Sequence, residues 1–156
     1  MTRPSRDKYF MEMAALISTR TTCIRRAVGC VLVSVRGHVL STGYNGVAAG
    51  RSHCNEHDPF HETGFPHACI AAFVPSGQRV DECEAIHAEQ NALVQCRDVW
   101  QIDTCYCTTF PCPSCVKLLL GTACRRIVYA EDYPARMQAE SLWLDANREV
   151  TKWETR

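Results

Sequence analysis

The sequence lacks a long apolar run. No stretch approaches the roughly 18 to 20 apolar residues that a membrane-crossing helix needs, and the opening MTRPSRDKYF has no apolar core of the kind that directs export. The expectation is a cytoplasmic chain that makes no membrane contact. An excess of either charge is also missing: 17 Lys and Arg stand against 17 Asp and Glu, a formal net charge of zero. A nucleic acid backbone is held by a positive field, so this balance argues against nucleic acid as a partner and favours a small ligand. Glycine and proline are few, at 8 and 7 in 156 residues, and no internal repeat or low-complexity tract breaks the chain. With 46% hydrophobic residues, this length supports one core and is short for two. Residues 1–156 are therefore read as a single domain.

Cysteine, in contrast, is abundant, with 11 residues. In an oxidising compartment such a chain would read as a disulfide framework, but the odd count and the absence of an export signal favour metal ligation and core packing.

Hydrophobic periodicity divides the chain into elements. Residues 6–19 place Phe10, Met13, Ala14 and Ile17 at helical spacing, with Ser5 as a candidate N-cap. Residues 28–35 and 38–42 are β-branched runs flanking Arg36 and Gly37, which predicts a hairpin. Residues 43–82 are rich in Gly, Pro, His and Asn with weak periodicity and read as a long functional loop. Residues 85–96 carry a helical stripe of Ala88, Ala92 and Cys96; residues 104–110 are strand-like, and a helix over 114–120 should stop at Gly121. A strand over 126–130, a helix over 135–145 and a last strand over 149–153 complete the pattern. Strands alternating with helices after an initial hairpin imply an α/β chain with a mixed sheet covered on both faces.

Chemistry concentrates in two segments, IHAEQNAL from Ile86 and TTFPCPSC from Thr108. Cys112 and Cys115 have the short spacing with which two thiolates grip one zinc ion, and His87 can add a nitrogen, leaving a fourth position for water. Three protein ligands describe a catalytic site rather than a closed structural one. Pro113 suits the first position of a helix, which sets Cys112 at the cap and both sulfurs near the positive end of the helix dipole. His87 and Glu89 would diverge by about 200° on a regular helix, so both can reach one site only if His87 lies at the helix entry. Glu89 is then placed as the proton carrier. Alone, a Cys-x-x-Cys is often structural and a His-x-Glu often a solvated helix start. Their combination carries the chemical reading.

The pair His-Ala-Glu and Pro-Cys-Pro-Ser-Cys resembles the H-x-E and P-C-x-x-C signature of the zinc-dependent nucleotide deaminases. Four stretches bring the resemblance closer to the deoxycytidylate (dCMP) deaminases: TRTTCIRRAVGCVLV from Thr19, STGYNGVAAG from Ser41, CPSCVKLL from Cys112 and RRIVYAEDY from Arg125. It extends over most of the chain up to Tyr133.

That resemblance implies a three-layer α/β/α cytidine-deaminase-like fold with a central mixed five-stranded sheet. It also implies hydrolysis of dCMP to dUMP and ammonia, with Glu89 moving protons at a zinc site of His87, Cys112 and Cys115. Asn45 is expected on the sugar hydroxyl, the backbone near Ala88 on the base edge, and Tyr133 in the pocket. Arg25, Arg26 and Lys117 compete as cations for the phosphate. Each has a plainer reading: Gly43 to Gly46 as a tight turn, the arginines and Lys117 as surface charges, Tyr133 as an aromatic over the sheet.

Cys23 and Cys54 match positions at which some phage members hold a second, structural zinc, with Cys83, Cys69, His67, His53 and His57 as candidates to complete it. Ala85 stands where such members use a glutamate, and free thiols remain the alternative. The family further implies a homo-oligomer, a hexamer, activated by dCTP and inhibited by dTTP near residues 43–50, with Mg2+ accompanying the triphosphate. Three alternatives stay open: a deaminase of free cytidine or deoxycytidine, which needs no phosphate cation; one acting on a nucleic-acid base, which needs a basic aromatic face; and a zinc-stabilised interaction module, which needs a fourth protein ligand.

Overall fold

The computed structural model describes residues 2–56, 69, 71, 74–75, 77–79 and 82–154. Its elements follow in the order α1 (Arg6–Ser18), β1 (Gly29–Ser34), β2 (Val39–Tyr44), α2 (Ala88–Gln95), a short 3-10 turn at Val99–Gln101, β3 (Ile102–Thr109), α3 (Pro113–Leu120), β4 (Arg126–Glu131), α4 (Arg136–Asp145) and β5 (Glu149–Lys152). Five strands form one sheet in the order β2-β1-β3-β4-β5. β1 is antiparallel to both β2 and β3, whereas β3, β4 and β5 run parallel. The mixed sheet is the one expected from a hairpin followed by strand-helix alternation.

Side chains alternate across the sheet and define its two cores. Val31, Val33, Tyr106 and Val128 face α1 and meet Phe10, Met11 and Ala14. Cys30, Leu32, Cys105, Cys107, Ile127 and Tyr129 face the opposite way, against Ala88 and Ala92 of α2, Val116 and Leu119 of α3, and Ala139 and Trp143 of α4. All six residues of β1 are buried, as a strand covered on both faces requires. The result is three layers, with α1 on one side of the sheet and α2, α3 and α4 on the other.

The helix ends explain how the layers are set. The Ser5 hydroxyl accepts from the Lys8 amide and caps α1, and Pro113 opens α3 as Gly121 closes it. Gly37, at φ +84°, makes the β1-β2 turn. Gly43 lies so close to the Ala88 carbonyl and the Ala92 amide that any Cβ there would collide with α2 backbone. That close approach fixes α2 against β2.

One expected boundary moves. The helix expected from residue 85 begins at Ala88, because Ile86 is held extended by reciprocal backbone hydrogen bonds with Gly46, at 2.9 and 3.1 Å. The shift leaves His87 outside the helix.

Candidate active site

Two helix starts meet at one place. His87 is the N-cap of α2, with extended backbone, and its amide donates to Gln90 Oε1 at 2.9 Å. Cys112 is the N-cap of α3 with Pro113 next, and Cys115 lies in the first turn. This brings His87 Nδ1 to 3.4 Å from the sulfur of Cys112 and 3.4 Å from that of Cys115. The ligand atoms of the three residues lie within 4.8 Å of one another. One borderline nitrogen and two soft sulfurs converging from helix caps fit a zinc ion with a fourth position left over.

The electrostatics are those of a primed donor set. The hydrogen bond from Cys115 draws the Cys112 thiol down to about 4. The same bond and burial push Cys115 up, and the bond to Cys112 raises His87.

Glu89 lies in the first turn of α2 and is 4% exposed. Burial pushes its carboxyl up to about 7, against the pull of His87. A carboxyl balanced near neutrality in a closed site can both take and return a proton.

These groups share a pocket with Arg25, Arg26, Asn45, Ala88 and Tyr133. Asn45 is largely committed to structure. Its Oδ1 accepts from the Val28 amide at 2.8 Å and from Thr21 Oγ1 at 2.8 Å, and its Nδ2 donates to the Arg26 carbonyl at 2.7 Å. One Nδ2 hydrogen remains for a ligand. Arg25 donates to the carbonyls of Pro75 and Gln78 at 2.5 and 3.2 Å, and Arg26 to that of Asp132 at 3.2 Å. Lys117 is exposed on α3 and does not line this pocket. Its position on the ligand helix does not turn its side chain toward the site.

Val28, Thr109 and Phe110 line the pocket without having been expected there. Thr109 is buried, and among the described residues its hydroxyl has no hydrogen-bond partner. Period-two counting from Cys105 and Cys107 puts it on the helix-facing side of β3, a signal the sequence did contain.

Of the second cysteine group, Cys54 and Cys69 are buried together with Ala71, and Cys83 packs against them. Cys23 and Cys83 also line the pocket. The four sulfurs are not drawn as tightly together as the three donors of the His87 site. His53 is exposed, and its amide donates to Glu56; His57 and His67 lie outside the described residues.

A family model described as the cytidine and deoxycytidylate deaminase zinc-binding region matches residues 4–131. The chain belongs to this family. A deoxycytidylate deaminase of Schizosaccharomyces pombe is 39% identical over 143 residues, which cover 90% of this chain and 41% of the yeast protein. One from Mycobacterium phage D29 is 35% identical over 133 residues, 85% of this chain and 99% of the phage protein. The crystal structure of dCMP deaminase from cyanophage S-TIM5 in complex with dCMP and dUMP is similar at a TM-score of 0.72 and 26% identity, over 98% of this chain and 100% of that one. The family member described here spans about two fifths of the length of its yeast relatives, 41% and 44%. Among its described residues, no helix is long and apolar enough to cross a membrane.

Proposed function

We propose that the chain catalyses hydrolytic deamination of dCMP to dUMP and ammonia, supplying dUMP for thymidylate synthesis in the cytoplasm. The observation that carries the reading is a buried carboxyl, Glu89, in the same pocket as the converging His87, Cys112 and Cys115 donors. A zinc ion held by those donors supplies Lewis acidity that makes a water deprotonable near neutral pH. Glu89 takes a proton from the attacking water, passes it to N3 as the oxygen bonds to C4, and then moves the second proton to the departing amine. The C4–N4 bond breaks, and water and dCMP become dUMP and ammonia.

The choice of a nucleotide over a nucleoside is supported by Arg25 and Arg26, two cations lining the pocket, and by the names of the relatives. Asn45, through its free Nδ2 hydrogen, meets the sugar hydroxyl; the Ala88 backbone meets the base edge, and Tyr133 closes the pocket wall. Activation by dCTP, inhibition by dTTP, Mg2+ on the effector and a hexameric assembly belong to this reading through the family resemblance alone.

Turnover of dCMP and deoxycytidine by the zinc-loaded chain tests the reading. dCMP should be strongly preferred, and Arg26→Gln should narrow the gap by weakening dCMP alone. Equal turnover of the two substrates by the wild type overturns the assignment.

A further inference from the structure

A second set of three thiols lies beneath the active site and takes no part in the chemistry above. Cys30 of β1 pairs directly across the antiparallel ladder with Cys107 of β3, and Cys105 lies two residues back on the same face. The Cys30 and Cys105 sulfurs are 3.6 Å apart and those of Cys105 and Cys107 3.5 Å, with all three within 4.8 Å of one another. None of the three residues is exposed. The core around them is formed by Leu32, Ala88, Ala92, Val116, Leu119 and Ile127, with the Cys124 thiol in the same cluster and the buried Glu89 carboxyl close enough to act on Cys30. As packing, three small thiols fill this space adequately. As donors, they form a tripod of three sulfurs held by strand pairing.

The charge of the product decides what such a tripod can hold. Three thiolates around Cu(I) leave a complex of charge −2, and around Zn(II) or Hg(II) one of −1, and among the described residues no cation acts on the cluster to offset it, while the Glu89 carboxyl adds to the cost. Burying that net charge in an apolar core is costly. Trivalent arsenic or antimony with three thiolates is neutral. We propose that Cys30, Cys105 and Cys107 form a binding site for trivalent arsenic and antimony, taken up as the neutral hydroxide. The step balances as As(OH)3 plus three thiols giving one arsenic tris-thiolate and three waters: three As–O bonds break, three As–S bonds form, and each thiol proton leaves on a hydroxide.

The place of the cluster gives entry and consequence. Ala88 and Phe110 belong both to the core around the thiols and to the lining of the catalytic pocket, so a single layer of side chains separates the two. A small neutral hydroxide can enter the pocket and reach the sulfurs as that layer fluctuates. Once bound, the neutral complex occupies the core next to Ala88 and leaves the zinc donors His87, Cys112 and Cys115 in place.

The test uses the full zinc-loaded chain exposed to arsenous acid and then desalted, with arsenic and zinc measured per chain and the sulfur neighbours of arsenic counted by X-ray absorption. The wild type should gain one arsenic with three sulfur neighbours at unchanged zinc content. Cys105→Ala and Cys107→Ala, each leaving only two thiols, should lose affinity for arsenic by at least about tenfold while retaining zinc and dCMP turnover. Two variants are used so that a failure of one to fold leaves the other to decide. Arsenic gained at the expense of zinc would place it at the His87 site, and undiminished uptake by both variants would place it at the cysteines around Cys54. Either result, or no uptake by the wild type, overturns the proposal.

Discussion

His87 and Glu89 face one pocket although only two residues separate them, because His87 is still extended, at φ −69° and ψ 156°, while Glu89 is already inside α2. On a continuous helix their side chains would point apart by about 200°. The bridge between Ile86 and Gly46 prevents that by delaying the helix start. An imidazole nitrogen and a buried carboxyl are thus brought to one pocket by one short segment.

This geometry separates the two roles experimentally. Glu89→Gln preserves shape and leaves all three donors in place, so zinc content should not change while dCMP deamination falls by at least about 10²-fold. Zinc loss as the main defect of the variant would remove Glu89 from the role of proton carrier.

Thr109 offers a prediction of opposite sign for stability and binding. A buried hydroxyl without a partner costs roughly 1 to 3 kcal/mol relative to a satisfied one, and among the described residues Thr109 Oγ1 is such a group in the pocket wall. Thr109→Val should leave the melting temperature of the ligand-free protein unchanged or raised, while the KM for dCMP rises about fivefold, as expected for about 1 kcal/mol of lost hydrogen bonding. Thr109→Ser should restore KM. A lower melting temperature with unaltered KM would make the hydroxyl structural.

The parts of the site that were legible in the sequence are those made by adjacent residues. Pro113 and Gly121 bracket α3 by local backbone chemistry, and Cys112 follows as its cap. Helical spacing likewise found Phe10 and Ala14 in the buried stripe of α1, with Met13 and Ile17 only partly buried and the buried Met11 missed. The remainder depends on register between distant strands. Nothing local to Cys30 announces that it lies opposite Cys107. Arg148 is a similar case: it donates to the carbonyls of Leu119, Leu120, Thr122 and Cys124 at 2.6 to 3.2 Å and so satisfies the end of α3 from a position just before β5. Lys117 shows the converse, since sharing a short helix with two ligands does not place a side chain on their face.

Acid stability should be sensitive to the Asp7 carboxylate. It accepts from Arg126 Nη1 and Nη2 at 2.9 and 2.8 Å and from the Tyr106 hydroxyl at 2.9 Å, tying α1 to the centre of the sheet. The Arg126 hydrogen bonds hold this carboxyl below the ordinary carboxylate range. A folded-state value below the unfolded one gives stability that is complete above the unfolded value of about 4 and is lost as pH falls through the folded value. Melting temperature measured from neutral pH down to about pH 3 should therefore fall more steeply in the wild type than in Asp7→Asn, which starts lower and lacks this titration. The effect is modest because the Asp7 side chain is 31% exposed. Parallel curves for the two proteins would show that the pair contributes no pH dependence.

A second metal is the remaining expectation for the cysteines of the long segment. Cys54 and Cys69 are buried side by side with Cys83 against them, and Cys23 is close enough to help raise the Cys54 thiol, whose main cause of elevation is burial. Buried thiols gathered in this way are what a structural zinc requires, and its binding free energy would add to the stability of the segment that carries them. Two zinc ions per chain are therefore expected, one at His87, Cys112 and Cys115 and one bound by Cys23, Cys54, Cys69 and Cys83. Cys54→Ser should contain one fewer zinc, melt at lower temperature and be cut faster by protease between residues 43 and 82, while the catalytic zinc remains. A single zinc in the wild type, together with unchanged melting and proteolysis in Cys54→Ser, would identify these four residues as packed thiols.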